Sequence, residues 1–188
     1  MALTLTPWQT VGPFFHFAFP REGEHLLVPL DAPDAVRIEG TVLDGASQPV
    51  ADALIETWQA NRAGRYAHPE DARERPALEE GFGGFGRCAT DARGRFELVT
   101  VKPGPVPGPD GRAQAPHLDV SIFARGLLKR LVTRMYFPDE EPANAADPIL
   151  SSIEDPALRS TLVVRSSDGA LGFEIRLQGE RQTAFFDI

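Results

Sequence analysis

A chain of 188 residues, 42% of them hydrophobic, is long enough for one well-filled domain, or two small ones at most. Its formal charge of −8 argues against nucleic acid as a partner, and its single cysteine, Cys88, excludes an internal disulfide. No stretch approaches the ~20 apolar residues that cross a bilayer, and MALTLTPWQT has no basic segment followed by an apolar run, so a cytoplasmic protein without a membrane partner is expected.

Residues 1–35 come first and carry Phe14, Phe15, Phe17 and Phe19 without a clear period. Four unburied Phe would form an exposed patch on a monomer, so 1–35 is expected to be an arm packing on a partner chain, with 36–188 a single domain. In VRIEGTVLD, alternation puts Val36, Ile38 and Val42 on one face, and DGASQP then supplies a turn. ALIETWQA reads as a second strand ending in the turn NRAG. Residues 68–86 form a long polar, then Gly-rich loop, of a length that is usually functional or covered by a partner. Its GFGGFGR stretch does not open a helix after a strand, so it reads as a tight glycine turn and not as a phosphate cradle.

GRFELVTV places Phe96 and Leu98 together after the turn DARG, and LDVSIFA, LLKRLVTRMYF and LGFEIRLQG continue the alternation. Only DPALRS, with Asp155 as cap and Pro156 in the first turn, reads as a short helix. Many short strands between turns predict an all-β protein, an antiparallel β-sandwich with an N-terminal arm, long loops and very little helix.

The chemistry concentrates in QAPHLDVSIF. His117 and Asp119 stand two residues apart on one face of a strand, a common beginning of a metal site and equally a common hydrogen-bonded structural pair. Tyr66, in the turn GRYAHP, is placed to reach the same end of the sandwich. Tyr136 reads as a half-buried strand residue, and Cys88 as a small inert core residue with no His–Asp arrangement beside it.

ETWQANRAGRY, GGFGRCATDARGRFELVTVKPGPVP and APHLDVSIFARG, together with TPWQTVGPFF and RLQGERQTAFFDI at the two ends, strongly resemble the intradiol ring-cleavage dioxygenases over nearly the whole chain. The resemblance implies a non-haem Fe(III) held by two tyrosinates and two histidines in a catalytic chain. Tyr66 matches the first Tyr and His117 the first His. Val106 stands at the second Tyr and Asp119 at the second His, while Gln114 and Gly108 replace an Arg and a Trp. Ferric iron poised for catechol activation depends on phenolate donation, and Val106 donates nothing.

The resemblance therefore implies a non-catalytic α-type chain that binds no iron itself. It pairs with a homologous iron-bearing β chain in an (αβ)n assembly acting on protocatechuate (3,4-dihydroxybenzoate). This chain then lends Thr10, Gly12, Pro13 and Arg125 to the partner's substrate pocket. Two other readings stay open. One is a stand-alone β-sandwich binding module, and the other a homo-oligomeric metalloenzyme using Tyr66, His117 and Asp119.

Overall fold

The computed structural model describes residues 7–108, 111–167 and 169–187. In chain order the elements are α1 (Phe14–Ala18), β1 (Ala35–Leu43), β2 (Leu54–Trp58), β3 (Phe85–Ala89), β4 (Arg95–Val101), β5 (Val106–Pro107), β6 (Ala113–Gln114), β7 (His117–Phe123) and β8 (Leu131–Tyr136). Three short helices follow, α2 (Glu141–Ala146), α3 (Pro148–Ser151) and α4 (Pro156–Ser160), and then β9 (Arg165–Ser167) and β10 (Ala170–Arg176). The strands form two four-stranded sheets, ordered β4-β1-β10-β9 and β3-β2-β7-β8, and a small β5–β6 ribbon. All pairings are antiparallel except β1 with β10. Parallel neighbours need a long crossover, and here the chain builds the whole second sheet before β10 returns beside β1.

The alternation read from sequence decides which faces meet. Ile38 and Val42 of β1, Phe96 and Leu98 of β4, and Phe173 and Ile175 of β10 pack against Ile55 of β2, Leu118, Val120 and Ile122 of β7, and Met135 of β8. Each such side chain contributes about 1.5–3 kcal/mol when fully buried. Gly40 lacks a Cβ because the Phe96 ring occupies that space, 2.1 Å from where the atom would sit. Cys88 is part of this core, and burial pushes its thiol up to about 12.

With Leu118, Val120 and Ile122 turned inward, the pleat turns His117, Asp119, Ser121 and Phe123 to the outer face of their sheet. The segment 137–164 packs on one end of that face, through a second cluster of Ala115, Tyr136, Leu150, Leu162 and Ala184. Tyr136 is therefore fully buried, at 0% exposure, and not half buried. The helix expected at DPALRS is α4, with Asp155 accepting from Ala157 N. Helices α1 to α3 were not expected: each is only one or two turns long, too short to carry a period.

The 1–35 stretch divides in two. His25 and Leu27 exchange backbone hydrogen bonds with Val99 and cover the free edge of β4, while Val28 is buried. Trp8, Phe14, Phe17 and Phe19 are exposed. Among the described residues no helix is long and apolar enough to cross a membrane.

Candidate functional site

The first site lies at the N-terminal end of β7. Pairing of β2, β7 and β8 sets Trp58 beside Asp119, Asp119 beside Arg134 and His117 beside Tyr136. Tyr66 arrives from the turn after β2. There Gly64, at φ +80, comes so close to the Pro105 carbonyl that a Cβ would lie 2.0 Å from it, so the Tyr66 turn and the strand of Val106 are pressed together. The Tyr66 ring lies parallel to Trp58, centroids 6.1 Å apart. A cavity of about 670 Å³ opens here, lined by Trp58, Tyr66, His68, Arg73 and Val106 among others. The structure thus brings Tyr66, Val106, His117 and Asp119 into one neighbourhood.

Their chemistry differs from both sequence alternatives. His117 Nδ1 donates to the Ala115 carbonyl at 2.7 Å, leaving Nε2 as the bare acceptor of a neutral ring. That Nε2 is buried, has no hydrogen-bond partner, and stands 3.9 Å from Asp119 Oδ1, too far for a hydrogen bond. Asp119 is instead turned to Arg134, whose Nε donates to its Oδ1 at 2.8 Å. The same guanidinium donates to Gln114 Oε1 at 2.7 Å and to the Tyr136 hydroxyl at 3.3 Å. Behind it Asp147, 0% exposed, accepts from Tyr136 and from the backbone N–H groups of Ala115, Ile149 and Leu150, capping α3 and fastening β6.

Electrostatics follow from this arrangement. Burial, then the Arg134 charge, lowers the His117 pKa and keeps the ring neutral. Burial, then the Asp119 charge, pushes the Tyr66 phenol up to about 12, partly opposed by Arg134 and Arg73. Burial raises the Tyr136 phenol further. These are protonated phenols near neutral pH, not tyrosinates.

The ferric site that the resemblance implies needs two phenolates and two imidazoles. Here Val106 is an apolar side chain and Asp119 is already paired with a guanidinium. The residues present do not fit that ion. Among the described residues no three His, Cys, Asp or Glu gather as metal donors. Gln114 serves as an acceptor for Arg134, its side-chain amide also donating to the Pro107 carbonyl, and Gly108 closes the ribbon by donating to Arg112 O.

The second site lies at the other end of β7, about 20 Å along the strand. Thr10 Oγ1 reaches the Ala124 carbonyl at 3.5 Å and accepts from Gly12 N at 3.2 Å. Gly12 adopts φ +59, which turns the chain into Pro13, the residue that precedes α1. Phe15 of α1 packs on Phe123 with centroids 5.4 Å apart, which leaves Phe14 and Phe17 outward. Arg125, two residues past β7, places Nε 3.3 Å from Asp52 Oδ2, while its side chain stays 70% exposed. Thr10, Gly12 and Pro13 thus share one end of the sandwich with Arg125, which is far from them in sequence.

Arg134, Asp147 and Asp52 were missed from sequence. A cation inside the apolar strand LVTRMY was a usable signal for the first, and Asp-Pro before an apolar run for the second, the same cap chemistry recognised at Asp155. Asp52 carries no local signal, since its role comes from the turn that brings Arg125 beside it.

Comparison with known proteins agrees along the chain. A family profile described as Dioxygenase matches residues 11–179. The protocatechuate 3,4-dioxygenase alpha chain of Pseudomonas putida is 42% identical over 200 residues, covering 97% of this chain and 96% of that one. The protocatechuate 3,4-dioxygenase beta chain of Burkholderia cepacia is 42% identical over 160 residues, covering 80% of this chain and 67% of that one. The solved dioxygenase domain of a carbohydrate-binding fusion protein from Streptomyces sp. SirexAA-E superposes with a TM-score of 0.57 at 29% identity, covering 93% of this chain and 99% of that one.

Proposed function

The chain belongs to the intradiol dioxygenase family, and from that premise we propose that it serves as the non-catalytic α subunit of a protocatechuate 3,4-dioxygenase, assembled with a homologous β chain. The observation that carries this reading is the Arg134–Asp119 ion pair at the second His position, with Val106 standing at the second Tyr position. A self-sufficient metalloenzyme built on Tyr66, His117 and Asp119 is disfavoured by the same pair.

The reaction of the assembly adds both atoms of O2 to protocatechuate and opens the ring between its hydroxyl-bearing carbons, giving 3-carboxy-cis,cis-muconate. Fe(III), held by the partner β chain, supplies the oxidative chemistry. This chain's part is to bind and to orient. The exposed aromatics Trp8, Phe14, Phe17 and Phe19 form the arm that seats on the partner, and the arm carries Thr10, Gly12 and Pro13 toward the partner's substrate pocket. Arg125 adds a cation at that mouth, which matters because the chain is otherwise acidic and the substrate is an anion. A reducing, cytoplasmic setting goes with the lone buried thiol of Cys88.

Co-expression with the β chain tests the reading. The expected result is a soluble complex with ring-cleaving activity and one iron per αβ pair, while the α chain alone folds poorly and lacks tyrosinate-to-iron absorption in the visible. A soluble α monomer that ignores the β chain, or an α chain that carries iron and activity by itself, overturns it.

A further inference from the structure

The first site carries a feature that the proposed function does not use. His117 is oriented as a metal-binding imidazole is: Nδ1 donates to a backbone carbonyl and Nε2 is bare, buried and without a partner. An unpaired acceptor in that setting is costly, and the carboxylate 3.9 Å away makes it worse, because two acceptors face each other. What holds the arrangement together is Arg134. Its guanidinium is the cation on which Asp119, Gln114 and the Tyr136 hydroxyl converge, with its side chain only 17% exposed. Three strands, β6, β7 and β8, are tied through this one group.

We propose that Arg134 takes the structural part of a metal at this end of β7, and that its positive charge is what keeps a divalent transition-metal ion from binding His117 Nε2 and Asp119, with the Tyr66 side chain as the third group at hand. The Tyr66 ring lies parallel to Trp58, which pairs with Asp119 across β2 and β7, so the phenol belongs to the same end of the sheet. An imidazole, a carboxylate and a phenol oxygen suit Zn2+ or Co2+, both borderline cations that accept mixed nitrogen and oxygen donors. A guanidinium cannot be deprotonated near neutral pH, so no change of buffer vacates the position; only substitution does. The inference concerns the other end of β7, and its test on the αβ complex rests on the subunit reading.

The test uses the αβ complex with the β-chain iron in place, iron content counting the β chains. Arg134→Ala makes room for an ion, and Arg134→Gln keeps a polar group against Gln114 and Tyr136 without the charge, in case the smaller side chain prevents folding. The parent complex is expected to retain no Co2+ beyond background after dialysis. Either variant is expected to retain one Co2+ per α chain, with visible ligand-field absorption and affinity roughly ten-fold or more above the parent, a gain of the size that groups around a metal site commonly exert. Adding His117→Ala is expected to abolish that uptake. No additional Co2+ in folded Arg134→Gln, or uptake that survives His117→Ala, overturns the proposal.

Discussion

Arg125→Ala separates the substrate capture proposed for this side chain from its pairing with Asp52. Its guanidinium is 70% exposed, so its attraction for an anionic substrate is screened by water and salt and amounts to about 1 kcal/mol, the upper range for exposed charge pairs. That corresponds to a Michaelis constant about five-fold higher. The turnover number and the iron spectrum are expected to stay as they are, because the residue is placed to capture and not to transform. The second consequence concerns Asp52. Its side chain is only 11% exposed, its two oxygens accept no hydrogen bond, and Arg125 Nε at 3.3 Å is its charge partner. Removing Arg125 leaves that carboxylate uncompensated at a cost of roughly 1–3 kcal/mol in stability. The double change Arg125→Ala/Asp52→Ala should therefore recover most of the lost stability and none of the lost substrate affinity. Steady-state kinetics of the αβ complex at low and high salt, with thermal melts of each variant, read the two effects independently. The kinetic penalty should shrink at high ionic strength and for a catechol without a carboxylate. An unchanged Michaelis constant at low salt refutes the capture role, and a double variant no more stable than Arg125→Ala refutes the account of Asp52.

Deleting residues 1–19 removes Phe14, Phe15, Phe17 and Phe19, each worth about 1.5–3 kcal/mol if fully buried, so the αβ complex should dissociate on dilution in sedimentation; normal assembly of the truncated chain would move the interface elsewhere. Asp147→Ala strips the acceptor from Ala115, Ile149, Leu150 and Tyr136 and should cost roughly 3–5 kcal/mol in denaturant melts, whereas Asp147→Asn, which keeps the oxygen that caps α3, should cost less than half of that. With its thiol pushed up to about 12 and its side chain in the core, Cys88 should resist iodoacetamide at pH 8 in the folded complex and react promptly in denaturant; fast labelling of the folded form would mean that the edge at β3 opens.

Period-two alternation is legible because each sheet has one wet and one dry face, so the shared faces of Ile38 and Val42 and of Phe96 and Leu98 follow from sequence alone. It could not show that the outer face at His117 is dry as well. That depends on 137–164 folding back over β7 and β8, and such long-range cover leaves no period in the strand it covers. Tyr136 was misjudged for this reason. His117 and Asp119 were legible as a pair at strand spacing with Tyr66 near the same end, and Val106 joined them only through the family resemblance. The site's actual chemistry was not legible, because the partner of Asp119 comes from the facing strand. Register is a property of the β7–β8 hairpin and its connection, and neither stretch read alone reveals that Asp119 meets Arg134.

That meeting makes the two residues interdependent. With Asp119 alone, a carboxylate would face the bare His117 nitrogen with nothing to balance it; with Arg134 alone, a largely buried guanidinium would lose its charge partner. Either single change leaves a charge unpaired in a poorly solvated place and costs stability unless another ion takes the missing partner's position. The same logic runs in reverse. A chain given Val106→Tyr and Asp119→His regains two metal-binding side chains but keeps the Arg134 guanidinium among them, now deprived of its carboxylate and repelling any ion that approaches His117. Restoring the set of two tyrosines and two histidines at this end of β7 therefore requires the loss of Arg134 as well as both of those substitutions. Meanwhile Thr10, Gly12, Pro13 and Arg125 at the far end of the strand are unaffected by what occupies the first pocket. On the proposed reading, a chain without a centre of its own still shapes its partner's.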